Sequence, residues 1–161
     1  MAKPQVHERK RFYLSGGMEY ALDEGRNWRG ALQQWLEREL AAEVFNPNHE
    51  SDAFFRRHHP GIDFRKLKME DPEHYKTIAS RLVDIDCREI AERSDAVICY
   101  WDESAMRGAG TKGELTMARF ARKPVYLVTT MPRHEIPGWV LGCITTIFGS
   151  FDDLKQHLLG G

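Results

Sequence analysis

Cysteine is scarce in this sequence: Cys87, Cys99 and Cys143 are three residues spaced far apart, with no C-x-x-C pair. That excludes a disulfide scaffold and a thiolate zinc site, and it fits a reducing compartment in which cysteine serves as a small apolar side chain. Metal-binding patterns are missing as well. No H-E-x-x-H occurs, and His58-His59 is an adjacent pair rather than two residues on one helix face, so no metal and no cofactor is expected. Long apolar runs are absent, and nothing approaches the roughly 20 residues of a membrane-spanning helix. The opening stretch MAKPQVHERKR carries charge with no apolar segment after it, so a cytoplasmic protein without a membrane partner is expected. An excess of one charge is also lacking. With 23 Lys and Arg against 24 Asp and Glu, the net charge is −1, which leaves no broad footprint for a nucleic-acid polymer. The basic clusters Arg9–Arg11 and Arg56-Arg57 read as solvated surface. There is no internal repeat.

What is present is an ordinary globular composition, 161 residues with a hydrophobic fraction of 42%. It predicts one domain over 1–161 with a core of its own, preceded by a loose polar arm at 1–9. Short apolar runs at Arg11–Ser15, Glu43–Asn46, Ala96–Trp101, Pro124–Val128 and Ile144–Phe148 predict five strands. Between them, apolar spacings of three and four predict helices over Asn27–Ala42, Glu73–Arg93, Thr111–Ala121 and Phe151–Leu159, the last capped by Ser150. Strands alternating with helices predict an α/β three-layer sandwich. The stretch 47–72 reads as a long irregular loop over the site, where Phe54, Phe55 and Phe64 either stack on a flat ligand or pin the loop to the core. Gly138–Cys143 reads as a short apolar turn.

The chain is organised around Ser94–Thr130, a strand, a glycine loop (Arg107–Gly110), a helix and a second strand. Such a βαβ unit places its loop at the carboxyl ends of parallel strands, where open sheets bind ligands. A first strand ending in Ser15-Gly16-Gly17 adds a second turn at the same edge; without G-x-G-x-x-G it does not signal a dinucleotide. Glu114 has two readings. Thr111-Lys112-Gly113-Glu114 fits a capping box, in which Thr111 caps the helix and Glu114 reaches back to its first amide. Alternatively, the glycines before it admit a ligand, and the carboxylate attacks an electrophilic sugar carbon.

Three blocks carry a resemblance: Y-x-S-G at Tyr13 to Gly16, D-x-x-x-I-x-x-x-S-D-A-V-I from Asp86 through Ile98, and G-T-x-x-E-L-x-x-A-x-x-x-x-K-P-V-Y from Gly110 through Tyr126. In this order they resemble the nucleoside 2-deoxyribosyltransferase family, which includes deoxynucleotide and nucleotide N-glycosidases. The resemblance implies a five-stranded parallel sheet with the flavodoxin-like, Rossmann-like order 2-1-3-4-5 and an enzyme acting on a small-molecule nucleoside or its 5′-monophosphate. Glu114 would be the nucleophile, forming a glycosyl ester that passes to a second base or to water. Asp86 would protonate the departing base, and Tyr13 would orient Glu114 or the sugar. The interval from Asp86 to Ser94 is one residue longer than the family's, which keeps Asp84 as a rival acid. Substrate binding falls to Ser15, Gly16, Gly17, Gly108, Gly110 and Thr111, with Arg107 as a charge for phosphate. Asp102 or Glu103, further up the loop, would stand in for an acid that some transferases carry where this chain has Gly108. The resemblance also implies a homo-oligomer. A nucleotide-sensing module that keeps the fold without turnover is the alternative.

Overall fold

The computed structural model describes residues 9–160. Apart from Arg9, the arm expected at 1–9 lies outside the described residues. Five parallel strands form one sheet: β1 (Arg11–Gly16), β2 (Glu43–Phe45), β3 (Ala96–Tyr100), β4 (Val125–Val128) and β5 (Thr146–Phe148), in the order β2-β1-β3-β4-β5. Tyr13 lies opposite Phe45 on one side and Val97 on the other, and Ser15 lies opposite Cys99. The fold class is the expected one, α/β with helices on both faces.

Side chains alternate across a strand, so each strand feeds two cores. Phe12, Leu14, Ala96 and Ile98 face α1 (Arg26–Leu40) and α8 (Phe151–Leu159), which bury Leu32, Leu36 and Leu154 against them. Tyr13, Val97, Cys99 and Leu127 face the opposite layer. That layer contains α5 (Glu103–Arg107), α6 (Gly110–Phe120) and α7 (Gly138–Cys143), which contribute Ala105, Leu115, Ala118 and Val140. Each large aliphatic side chain buried this way stabilises the fold by about 1.5–3 kcal/mol.

The stretch 47–72 is not a loop. Asn46 caps α2 (Pro47–His58) by accepting from the Asn48 amide, and Asp63 caps α3 (Phe64–Glu70) by accepting from Lys66. Asp71 then caps α4 (Pro72–Arg88), with Pro72 in its first turn. The capping residues were visible in the sequence; the apolar faces behind them were not, because these helices pack on one another rather than on the sheet. Phe64 stacks on Tyr75 at 4.4 Å, and Phe55 lies 5.0 Å from Phe64. The phenylalanines therefore pin α2 and α3 to α4. Gly138–Cys143 is likewise a helical turn rather than an irregular one.

α4 runs into a π-helical turn, Glu89–Arg93, closed by the Ser94 amide on the Glu89 carbonyl. A π turn accommodates one more residue than the α-helix it interrupts. This turn lies within the interval between Asp86 and Ser94. Glu89 is buried in this turn and accepts from Arg11 and from the Ser94 hydroxyl.

Candidate active site

Tyr13 and Ser15 leave β1 on the same face, two residues apart, near its carboxyl end. Above them lies the first part of α6, with Glu114 on its inner side. The Tyr13 hydroxyl donates to Glu114 Oε1 at 2.9 Å, and the Ser15 hydroxyl donates to Oε2. Both carboxylate oxygens are thus engaged by partners 101 and 99 residues away in the chain. This geometry overturns the capping-box reading. Residue Ala109 occupies the cap position of α6 with no side-chain cap bond, and Thr111 is buried inside the first turn. Lys112 instead secures the preceding loop, donating from Nζ to the carbonyls of Met106 and Gly108.

The electrostatics separate two carboxyl groups. Asp86, half-buried on α4, is pushed up to about 8, first by burial and then by the negative charge of Glu114. Burial also raises Glu114, opposed by the Ser15 hydrogen bond, the charge of Arg29 and the Tyr13 hydrogen bond. The Ser15 hydroxyl serves Glu114 alone, whereas the Tyr13 hydroxyl and the charge of Arg29 favour the ionised form of both groups. Asp86 is the group that holds its proton into the neutral range, with the negative charge of Glu114 among the causes. Tyr13 itself is held well above the ordinary phenol range by burial and by these two acids, so it remains a donor. Asp84, the rival acid, points to solvent.

A cavity of about 250 Å³ opens beside Asp86, between α2 and α4. Phe54, Leu82 and Ile85 form its apolar wall, and Glu50, Arg57 and His58 supply polar groups. Of the segment 47–72, α2 thus lines a cavity that Asp86 also reaches.

The remaining sequence candidates fall in two groups. Gly16 and Gly17 are buried at the end of β1, where space is short. A Cβ on Gly17 would sit 2.0 Å from Ser104 Oγ, and one on Gly16 would sit 2.8 Å from Trp28 Cζ2. Asp102 is engaged locally, its Oδ1 accepting from the Ala105 amide at 3.0 Å and from Ser104 Oγ at 2.6 Å as the cap of α5. Gly110 is exposed at the start of α6 with open space around it, and Gly108 closes α5. Arg107 lies over the Tyr20 ring, 4.5 Å from its centroid.

Sequence reasoning missed Arg29. It lies on α1 with 1% of its surface exposed and binds backbone carbonyls around the end of β1. Asn48 of α2, also buried, accepts from it and donates to the Glu24 carbonyl. The signal was available: Arg29, Leu32 and Leu36 share one stripe of the helix, and a cation in a buried stripe marks a purpose other than packing.

No protein-family model matches this chain, and no curated protein matches it in sequence. Among solved structures, it is similar in fold to the CMP N-glycosidase BcmB of Clostridium botulinum, with a TM-score of 0.52 and 18% identity. The similarity covers 92% of this chain and 97% of that one. At that identity the likeness is one of fold.

Proposed function

We propose that this protein breaks the N-glycosidic bond of a nucleoside or nucleotide through a covalent ester on Glu114. The observation that carries the reading is the division of labour between two carboxyl groups: Glu114 held by two hydroxyl donors, and Asp86 raised to about 8 beside a cavity. A carboxylate fixed by O–H donors presents a directed lone pair, and a neighbouring neutral acid has a proton to give. Retaining glycosidases divide their two acids in the same way.

In the first step a Glu114 oxygen bonds to the anomeric carbon as the bond from that carbon to the base nitrogen breaks. The base takes its electron pair and accepts the Asp86 proton, leaving a glycosyl ester and an Asp86 carboxylate. In the second step an acceptor attacks the same carbon, Asp86 takes the acceptor's proton, and Glu114 is released. The cavity next to Asp86 holds the base: its 250 Å³ accommodate a nucleobase, Phe54 offers an aromatic face, and Glu50 and Arg57 offer an acceptor and a donor for its edge. Ser15 and Tyr13 position Glu114, and Gly16 and Gly17 keep the strand end narrow.

The acceptor is the finer question. The G-T-x-x-E-L block resembles enzymes that pass a 2-deoxyribosyl group to a second base, whereas the similarly folded neighbour is an N-glycosidase. One experiment addresses both. Nucleosides, deoxynucleosides and their 5′-monophosphates are incubated with the protein, with and without a second base, and products are separated by chromatography. Free base formed by the parent and not by Glu114→Gln supports the glycosyl ester. A new nucleoside formed with the second base makes the protein a transferase, and release to water alone makes it a hydrolase. Binding of a nucleotide without any base release favours the sensing module.

A further inference from the structure

Arg29 is a buried guanidinium with no carboxylate in hydrogen-bond contact among the described residues. Its Nε donates to the Leu14 carbonyl at 3.1 Å and its Nη2 to the Gly16 carbonyl at 2.8 Å. Nη1 reaches the carbonyls of Glu24 and Gly25 and the side-chain oxygen of Asn48, at 3.1, 3.4 and 3.4 Å. All of these acceptors are neutral. A buried cation normally requires an anion, since neutral acceptors offset only part of the lost hydration. On the other face of the same strand end lies the opposite problem, the Glu114 carboxylate bound by two neutral hydroxyls.

We propose that Arg29 is the counter-charge and positioning residue of Glu114, acting across the carboxyl end of β1. The strand separates the two groups. Arg29 grips the carbonyls of Leu14 and Gly16 from the α1 side, and Ser15, the residue between them, presents its hydroxyl to Glu114 on the α6 side. Fixing residues 14 and 16 fixes the direction of the side chain at 15, because alternate residues of a strand point to opposite faces. One side chain thereby supplies both the donor geometry and the positive charge.

The titratable groups facing Glu114 come from several elements: Tyr13 on β1, Cys99 on β3, Asp86 and Cys87 on α4, and Arg29 on α1. Ionisation of Tyr13, either cysteine or Asp86 would add negative charge; Arg29 contributes the positive charge that favours the Glu114 carboxylate. Lys112, two residues earlier, has its ammonium committed to the carbonyls of Met106 and Gly108.

The inference rests on the nucleophile reading of Glu114 for its effect on rate, but the ionisation it sets is measurable in a protein with no activity at all. Infrared difference spectra between Asp86→Asn and Asp86→Asn/Glu114→Gln, a background without the coupled acid, isolate the Glu114 carboxyl band, which is followed against pH. The same subtraction is then made in Arg29→Met and Arg29→Lys backgrounds. Arg29→Met moves the ionisation of Glu114 to higher pH by about 1–3 pH units, the size of a lost opposite charge nearby. Arg29→Lys keeps the charge and loses the fork, so the band titrates near the parental pH while any measured turnover falls. If Arg29→Met does not fold, Arg29→Gln, which keeps a neutral donor for the carbonyls and removes the charge, takes its place with the same expected shift. An unmoved band in Arg29→Met, or a rise of about 1 pH unit or more in Arg29→Lys, overturns the counter-charge assignment. Glycosyl chemistry failing while the band moves as stated refutes the functional reading and leaves this one standing.

Discussion

Replacing Asp86 by asparagine gives the protein a stability its parent lacks at neutral pH. The folded carboxyl titrates near 8, against an ordinary value of 3.8. Between those limits the folded chain holds a proton that the unfolded chain has released. The unfolded state therefore binds fewer protons, and stability falls as pH rises through this window. The limiting slope for one group is about 1.4 kcal/mol per pH unit. Asp86 is half-buried and lines an open cavity, so solvent screening lessens the shift and with it the total, while the slope itself is set by the one proton. Asparagine keeps the shape and cannot ionise. Urea unfolding at pH 4, 5, 6 and 7 then gives nearly coincident curves for parent and variant at pH 4 and separates them progressively above it. At pH 7 the variant is more stable by about 1–2 kcal/mol, with an unchanged dependence on urea concentration. Equal pH slopes in the two proteins, or a variant less stable than its parent at pH 7, would refute the protonated-acid assignment.

Further outcomes follow from the same geometry. If the protein turns over a substrate, its rate is bell-shaped in pH: the acid limb reports Glu114 becoming ionised, and the basic limb near 8 reports Asp86 losing its proton. A basic limb that persists at the same pH in Asp86→Asn refutes this. Ser15→Ala removes a hydrogen bond to a charged group, about 1.5–3 kcal/mol, and so moves the acid limb up by about 1–2 pH units; a stationary limb would show that Ser15 does not hold the ionised form. Gly17→Ala forces a methyl against Ser104 and lowers stability by about 1–3 kcal/mol in thermal unfolding, and a parental midpoint would show that α5 yields freely there.

Much of the frame was legible because its signals are local. A run such as Ala96–Tyr100 is buried on both sides of a parallel sheet, so it reads as continuous apolar sequence, and all five strands were found from such runs. Ser150 before Phe151 announced the last helix, and its hydroxyl does accept from the Asp153 amide. Where the core was made by helices packing on one another, the same reading failed. Asn46-Pro47, Asp63 and Asp71-Pro72 are helix starts, but Phe54, Phe55 and Phe64 are spread among charged residues and show no continuous apolar face.

The site divides along the same physical line. Sequence alone placed Glu114 at the start of a helix beside a glycine turn, since propensity and spacing act between near neighbours. It left that carboxylate with two partners, a backbone amide three residues away or a ligand, because a capping box and a poised nucleophile have the same local pattern. Tertiary structure removed the first by bringing Tyr13 and Ser15 across about a hundred residues of chain to its two oxygens. Folding also decided that Asp86 rather than Asp84 faces that carboxylate, and that Arg29 lies buried behind the strand. Hydrogen bonds and charges depend on distance in space and on exclusion of water, and neither quantity is written in the spacing of residues along the chain.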